Sequence, residues 1–246
     1  MSIVKTLATS RRVLNQLLHD PRTLAMMFVV PPVLLTIMKY VFQDQSRVFD
    51  HIAPMLLGVF PLTMMFLITS IVTLRERTSG TLDRLMTMPI SKFDFIFGYA
   101  IVFCFLGFLQ ATITGFVMFN ILGVNVAAGY LPTIIAAVLT ASLGTALGLF
   151  MSAFASSEFQ AIQYMPAFIF PQLLTCGLFV ARDSMATPLQ WFSNIMPLIY
   201  SVDAMKQVTD NSAWTSALTG DLVVVVAFVV GALIFGSLTI RRREKS

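Results

Sequence analysis

Charge is what this sequence has least of. Only 28 of its 246 residues are acidic or basic, 11% of the chain, roughly half the share of a soluble globular domain. That scarcity excludes an ordinary water-soluble fold and points to lipid as the main solvent. Histidine and cysteine are scarcer still, at two each. His19 and His51 stand alone, without companion carboxylates or thiols, so no metal site and no catalytic cluster is expected. Cys104 and Cys176 both fall inside apolar runs, and no CxxC occurs, which excludes a disulfide framework and leaves them as small buried hydrophobes. No GxxxxGK[ST] phosphate loop is present, so the chain does not hydrolyse ATP by that route. No Asp, Glu or His lies near the middle of any apolar run, where proton- and sodium-coupled carriers need such groups. Uphill transport would therefore draw its energy from a partner.

What is abundant is apolar sequence. Hydrophobic residues make up 57% and collect in six runs, at residues 24–42, 54–74, 95–122, 131–155, 163–181 and 222–240. Each approaches or exceeds the roughly 20 residues that cross about 30 Å of hydrocarbon as a helix. The expected fold class is an all-α integral membrane protein with six transmembrane helices in one domain spanning residues 1–246. Basic residues fix its orientation. Lys5, Arg11, Arg12 and Arg22 precede the first run, Arg75, Arg77, Arg84 and Lys92 lie between the second and third, and Arg241, Arg242, Arg243 and Lys245 follow the sixth. Twelve of sixteen thus share one side, leaving Lys39, Arg47, Arg182 and Lys206 for the other. The positive-inside rule places both termini in the cytoplasm of a plasma (inner) membrane protein. The net charge of +4 is a topology signal, and no nucleic-acid partner is expected.

Residues 1–22 are too polar for a signal peptide. Ile3, Leu7, Leu14 and Leu18 share one helical face, and Lys5, Thr9, Arg12 and Gln16 the opposite one, as in an interfacial helix on the membrane surface; a frayed tail is the alternative. Asp20 and Pro21 read as an N-cap and first-turn proline opening the first span. Gly107, Ala111 and Gly115 recur every four residues in the third run, and Ala136, Thr140, Gly144, Gly148 and Ser152 in the fourth, seams that let helix backbones approach closely. Residues 182–220 carry aromatics without spanning length and are cut by Pro188 and Pro197. They read either as short outer half-helices, re-entrant or interfacial, or as an ordinary outer loop.

After a 20-residue run without charge, residues 54–73, the stretch LRERTSGTLDRLMTMPISK places six charges at residues 74–92. Gly80 permits a sharp change of direction. Leu82, Leu85 and Met86 then fall on one face at i, i+3 and i+4 before Pro89 ends the segment. The pattern fits a short amphipathic helix offered to a soluble partner, or a positively charged loop that only fixes topology.

Glu76, Arg77, Gly80, Thr81, Leu82, Asp83 and Leu85, followed by Pro89, resemble the E-R-x-x-G-T-L-(E/D)-x-L…P coupling segment of type-2 ABC exporter permeases, in the branch similar to daunorubicin-resistance membrane subunits. Thr78 departs from the acidic residue that many relatives carry there. Asp20-Pro21-Arg22 also resembles the family's first-helix opening, and the likeness covers essentially the whole chain. It implies a non-enzymatic permease that works as a dimer with a second copy or a related permease. Each copy would be seated through the coupling residues and Met86 on an ABC ATP-binding subunit, two copies in all. ATP and Mg would be bound by those partners, and no cofactor by this chain.

In such families the substrate path runs between the two permeases, lined largely by spans two and five. Carried onto this chain, it is lined by Phe60, Met64, Leu67 and Ile71, and by Tyr164, Phe168, Gln172, Cys176 and Phe179. Met and Phe suit adaptable binding of apolar molecules. The expected function is ATP-driven export of amphipathic drugs or lipids; the alternatives are a polysaccharide exporter permease and a membrane assembly or sensory subunit that transports nothing.

Overall fold

The computed structural model describes residues 2–81, 91–180 and 182–239, and its secondary structure there is entirely helical. Nine α-helices follow in order: α1 (Ile3–Leu18), α2 (Pro21–Val41), α3 (Ser46–Thr78), α4 (Lys92–Phe116), α5 (Tyr130–Ser152), α6 (Glu158–Thr175), α7 (Thr187–Ile195), α8 (Pro197–Asp210) and α9 (Ser216–Thr239). A π-helical turn, Val117–Ile121, prolongs α4. The chain is a multi-pass membrane protein. Five of these elements, α2, α3, α4 with its π turn, α5 and α9, are long and apolar enough to span a bilayer.

The layout differs from six equal runs in two places. α3 has 33 residues and begins eight positions before the uncharged run, taking Arg47, Asp50 and His51 into its first turns. At 1.5 Å per residue it is about 50 Å long, so both its ends extend beyond hydrocarbon. α6 starts at Glu158, capped by Ser157, whose hydroxyl accepts from the Gln160 amide at 3.2 Å, and it stops at Thr175. Glu158, three glutamines and two prolines dilute it below the hydropathy of the other five.

α2 opens as its sequence suggested. The Asp20 carboxylate accepts from the Thr23 hydroxyl at 2.6 Å and from the Thr23 amide at 3.2 Å, and these bonds hold its pKa below the usual carboxylate value. Such a cap contributes about 1 kcal/mol.

α5 is the hub of packing. Its seam of small residues is buried, and it lies directly against the α3 backbone. A side chain at Gly144 would strike the Leu62 carbonyl, and one at Gly148 would come within 2.5 Å of the Phe66 carbonyl oxygen. Two glycines four residues apart on α5 thus face two carbonyls four residues apart on α3, as close helix packing in lipid requires. α1 packs on α4 by its small polar residues instead. Thr6, Thr9 and Ser10 are buried there, and Ser10 donates to the Gly98 carbonyl at 3.0 Å. Ile3, Leu7 and Leu18 remain exposed on the other side. α1 is also tied to the start of α4 through Asp94, which accepts from the Ser2 amide at 2.7 Å while closing a capping box with Ser91.

Candidate functional site

Three consecutive residues at the end of α3 reach three different helices. Arg75 grips Glu158 at the start of α6 with two bonds, 2.7 and 3.0 Å. Glu76, only 3% exposed, accepts from Arg12 of α1 at 3.1 Å. Arg77, half-buried, donates to the carbonyl of Ser152, the last residue of α5. Successive helical residues point about 100° apart, so a run of three charges can reach three neighbours only where each neighbour comes to the same level. α5 does so with its last residue, α6 with its first, and α1 passes the same level at Arg12 in its second half.

Arg12 extends the network. Its second terminal nitrogen donates to the Tyr99 hydroxyl of α4 at 2.8 Å, and its guanidinium lies 5.9 Å from the centre of the Tyr99 ring. Tyr99 is fully buried between Phe95 and Phe103. One polar knot therefore joins the end of α3 to α1, α4, α5 and α6. A push on this end of α3 is shared among five helices without passing through loops.

Just beyond the knot α3 ends at Thr78, and Gly80 takes φ +73°, in the left-handed region. The sharp turn expected at Gly80 is present, and glycine adopts it without the cost that a side chain would bring. The Ser79 and Thr81 hydroxyls meet at 3.0 Å across it. Thr78 bonds its own helix, its hydroxyl 3.2 Å from the Leu74 carbonyl. Leu82, Asp83, Leu85, Met86 and Pro89 lie outside the described residues.

The path residues divide into two groups. On α3, Phe60, Met64, Leu67 and Ile71 form a half-buried stripe on a helix whose middle is otherwise largely closed. α6 runs antiparallel beside it. Ile71 and Tyr164 pack in one small cluster with Leu74 near the knot, and the buried Phe66 stacks on Phe168 at 6.4 Å farther along. At the far end Phe60 and Phe179 line one groove of about 500 Å³. Gln172 and Cys176 are buried in the core. The Gln172 amide nitrogen donates to the Phe168 carbonyl at 2.9 Å, and its oxygen accepts from the Leu198 amide at 3.3 Å, capping the start of α8. Cys176 bonds the Leu173 carbonyl at 3.1 Å.

Arg12, Tyr99, Arg75 and Glu158 were not among the residues singled out from sequence for this site. Sequence signals bore on two of them: Arg12 lies on the polar face of an amphipathic helix, a face that must find either water or a polar partner, and Arg75 is the first of the six charges in residues 74–92.

Comparison with known proteins bears on the family of the chain. Residues 5–209 match the family model described as ABC-2 type transporter. Among curated proteins, ABC transporter G family member 20 of Dictyostelium discoideum is 27% identical over 82% of this chain and 28% of its own length. Probable multidrug ABC transporter permease YbhR of Escherichia coli K12 is 26% identical over 66% of this chain and 47% of its own. ABC transporter G family member 23 of D. discoideum is 21% identical over 78% and 28%. The chain thus spans less than half the length of each of these relatives.

Proposed function

Because this chain belongs to the ABC-2 type transporter family, we propose that it is the permease subunit of an ATP-driven exporter that moves amphipathic drugs or lipids out across the plasma membrane. The observation that carries the proposal is the knot at Arg75, Glu76 and Arg77, which ties four other helices to the end of α3 immediately before the turn at Gly80. Glu76, Arg77, Gly80, Thr81, Leu82, Asp83, Leu85 and Met86 couple the permease to an ABC ATP-binding subunit. Two such subunits serve a pair of permeases, either two copies of this chain or this chain with a relative. ATP and its magnesium belong to those partners, and closure of the ATPase pair would tilt α3 and, through the knot, α1, α4, α5 and α6.

α6 is the sixth crossing on this reading. Its first residue bonds the end of α3, while Leu173, Leu178 and Phe179 at and beyond its other end share a groove with Val48 and Ile52 near the start of α3. It therefore runs the depth of the bundle. Six crossings put both termini on one side, and the basic residues assign that side to the cytoplasm. The path lies along the Phe60, Met64, Leu67 and Ile71 stripe and the facing Tyr164, Phe168 and Phe179, with Gln172 and Cys176 behind it. Its apolar lining favours amphipathic cargo over a sugar polymer.

The test is co-expression with an ABC ATP-binding subunit, followed by copurification and vanadate-sensitive ATP hydrolysis in lipid nanodiscs containing a panel of drugs and lipids. Hydrolysis that needs both chains, rises with one compound class and is lost in Gly80→Pro or Leu82→Asp supports the proposal. Failure of any ATPase to associate while both chains are folded would overturn it, in favour of a membrane subunit that transports nothing.

A further inference from the structure

The hydroxyls of α3 are not all satisfied in the same way. Thr63 and Thr78 each bond a carbonyl three or four residues back on their own helix, at 2.9 and 3.2 Å. The buried Thr140 and Thr145 of α5 do the same, at 2.8 and 3.2 Å. Thr69, Ser70 and Thr73 do not. All three are at most 1% exposed, and their hydroxyl oxygens find no hydrogen-bond partner among the described residues. The same holds for Glu76 Oε2, the oxygen that does not meet Arg12, and for Arg12 Nε. Five buried polar atoms without a partner thus gather on two turns of α3 and the arginine beside them.

Their spacing supplies the second observation. Thr69, Thr73 and Glu76 follow at steps of four and three residues, within about 60° of one another and roughly opposite the stripe of Phe60, Met64, Leu67 and Ile71. These atoms are therefore no part of the path. Leu62 and Phe66 lie on the same side, their backbones against Gly144 and Gly148 of α5. Carried on by four residues, that register sets Ser70 opposite Ser152, the small, buried last residue of α5. Neighbours three or four apart on a helix have Cβ atoms about 5–6 Å apart. One water oxygen with two O–H···O bonds of about 2.8 Å spans such a gap. Leaving these atoms dry carries a desolvation penalty, which a bound water with two to four polar partners removes. A monovalent cation fits less well, because Arg12 and Arg77 bring positive charge to the same place.

We propose that a file of ordered water molecules is bound along this face of α3, bridging Thr69 to Thr73 and Thr73 to Glu76, with Ser70 beside it and Arg12 Nε at its end. Water exchanges hydrogen-bond partners in place, so α3 can shift against α5 beyond the glycine contacts without leaving a polar atom bare. That use rests on the coupling reading given above; the water site itself does not.

The experiment uses the full chain with isotope-labelled threonine in liposomes of deuterated lipid, with no ATPase present, and measures polarisation transfer from water by solid-state NMR. Signals of Thr69 and Thr73 should build up at least threefold faster than those of Thr140 and Thr145, which are equally buried but bonded to their own helix. They should approach the rate of the exposed Thr78. Build-up as slow as at Thr140 and Thr145 would overturn the site. Thr69→Val and Thr73→Val keep the shape and remove the hydroxyl. Where water is bound, each variant strips it of a partner and should lower the detergent melting temperature by about 2–4 °C. No change, or the rise that follows removal of a dry, unpaired hydroxyl, would count against the water file. Replacing sodium and potassium by N-methylglucamine should leave the fast build-up and the melting temperature as they are; loss of either would overturn water in favour of a monovalent cation.

Discussion

The two ends of α3 solve opposite problems with one helix. At its C-terminal end three charges in a row are held by Arg12, Glu158 and the Ser152 carbonyl, and the neighbouring helices converge. At its N-terminal end the neighbours part around an apolar groove, and among the described residues Lys39, Asp44 and Arg47 of the α2–α3 corner make no ion pair. Directional bonds with few alternative geometries transmit displacement. An apolar slot lined with Phe, Met and Leu accepts many shapes at similar cost. The difference teaches that rigidity and adaptability are separated along a single element about 50 Å long, with α5 clamped between them against the helix backbone.

The sharpest way to break this comparison is at Glu76. Its carboxylate is 3% exposed and faces Arg12. Glu76→Ala leaves the half-buried guanidinium without its counter-charge and should cost roughly 3 kcal/mol, read as a fall in the detergent melting temperature. ATPase coupling should drop for every substrate alike. Glu76→Ala with Arg12→Ala should cost less than the sum of the singles, because the two act as one unit; strict additivity would show that the pair is not coupled.

Gly80 tests the turn that follows the knot, where the proposed coupling to an ATPase begins. At φ +73° a side chain costs about 1–2 kcal/mol, and none of the described residues lies within 4 Å of where a Cβ would be. Gly80→Val should therefore weaken copurification with the ATPase while shifting stability only by that amount. Unchanged copurification would relieve the turn of any part in coupling. Phe60 tests the other end. It is half-buried and lines the groove, so Phe60→Ala should lower stability by about 1 kcal/mol or less, well short of the 3–5 of a fully buried Phe. Relative stimulation of hydrolysis by bulky over slender compounds should change at least threefold. Equal effects on all compounds would erase the distinction between the ends.

Much of this arrangement could be read from the sequence, and the exceptions have physical reasons. The cap at Asp20, the turn at Gly80 and the small-residue seam on α5 are local or periodic features, and each is present. On α3, steps of 4, 3 and 4 residues keep Phe60, Met64, Leu67 and Ile71 within about 60° of one another on a 3.6-residue helix, and all four are half-buried. On α6, steps of 4, 4 and 4 from Tyr164 drift about 40° each, which carries Gln172 and Cys176 round to the buried side. The knot was out of reach for another reason: Arg12–Glu76, Arg12–Tyr99 and Arg75–Glu158 join residues 64, 87 and 83 positions apart, and no spacing rule reports such pairings. The count of spans was blurred by α6 itself, whose glutamines and prolines lower its hydropathy, Gln172 turning its amide oxygen to the Leu198 amide of α8 rather than to lipid.

The smallest effect should come from inside the knot. Arg75–Glu158 has better bonds than Arg12–Glu76, bidentate at 2.7 and 3.0 Å, yet its side chains are 53% and 48% exposed. In water such a pair contributes about 0.2–1 kcal/mol, because solvent screens the attraction and replaces the lost bonds. Arg75→Gln should therefore barely move the melting temperature, and its effect should shrink further in high salt, whereas that of Glu76→Ala should persist. Coupling offers the more telling readout. If burial sets what the knot transmits, Arg75→Gln should retain most partner-stimulated hydrolysis. If the bond between α3 and α6 matters regardless of exposure, hydrolysis should fall as far as in Glu76→Ala while stability stays unchanged, and the role of the knot would then lie in its connectivity rather than in its buried charge.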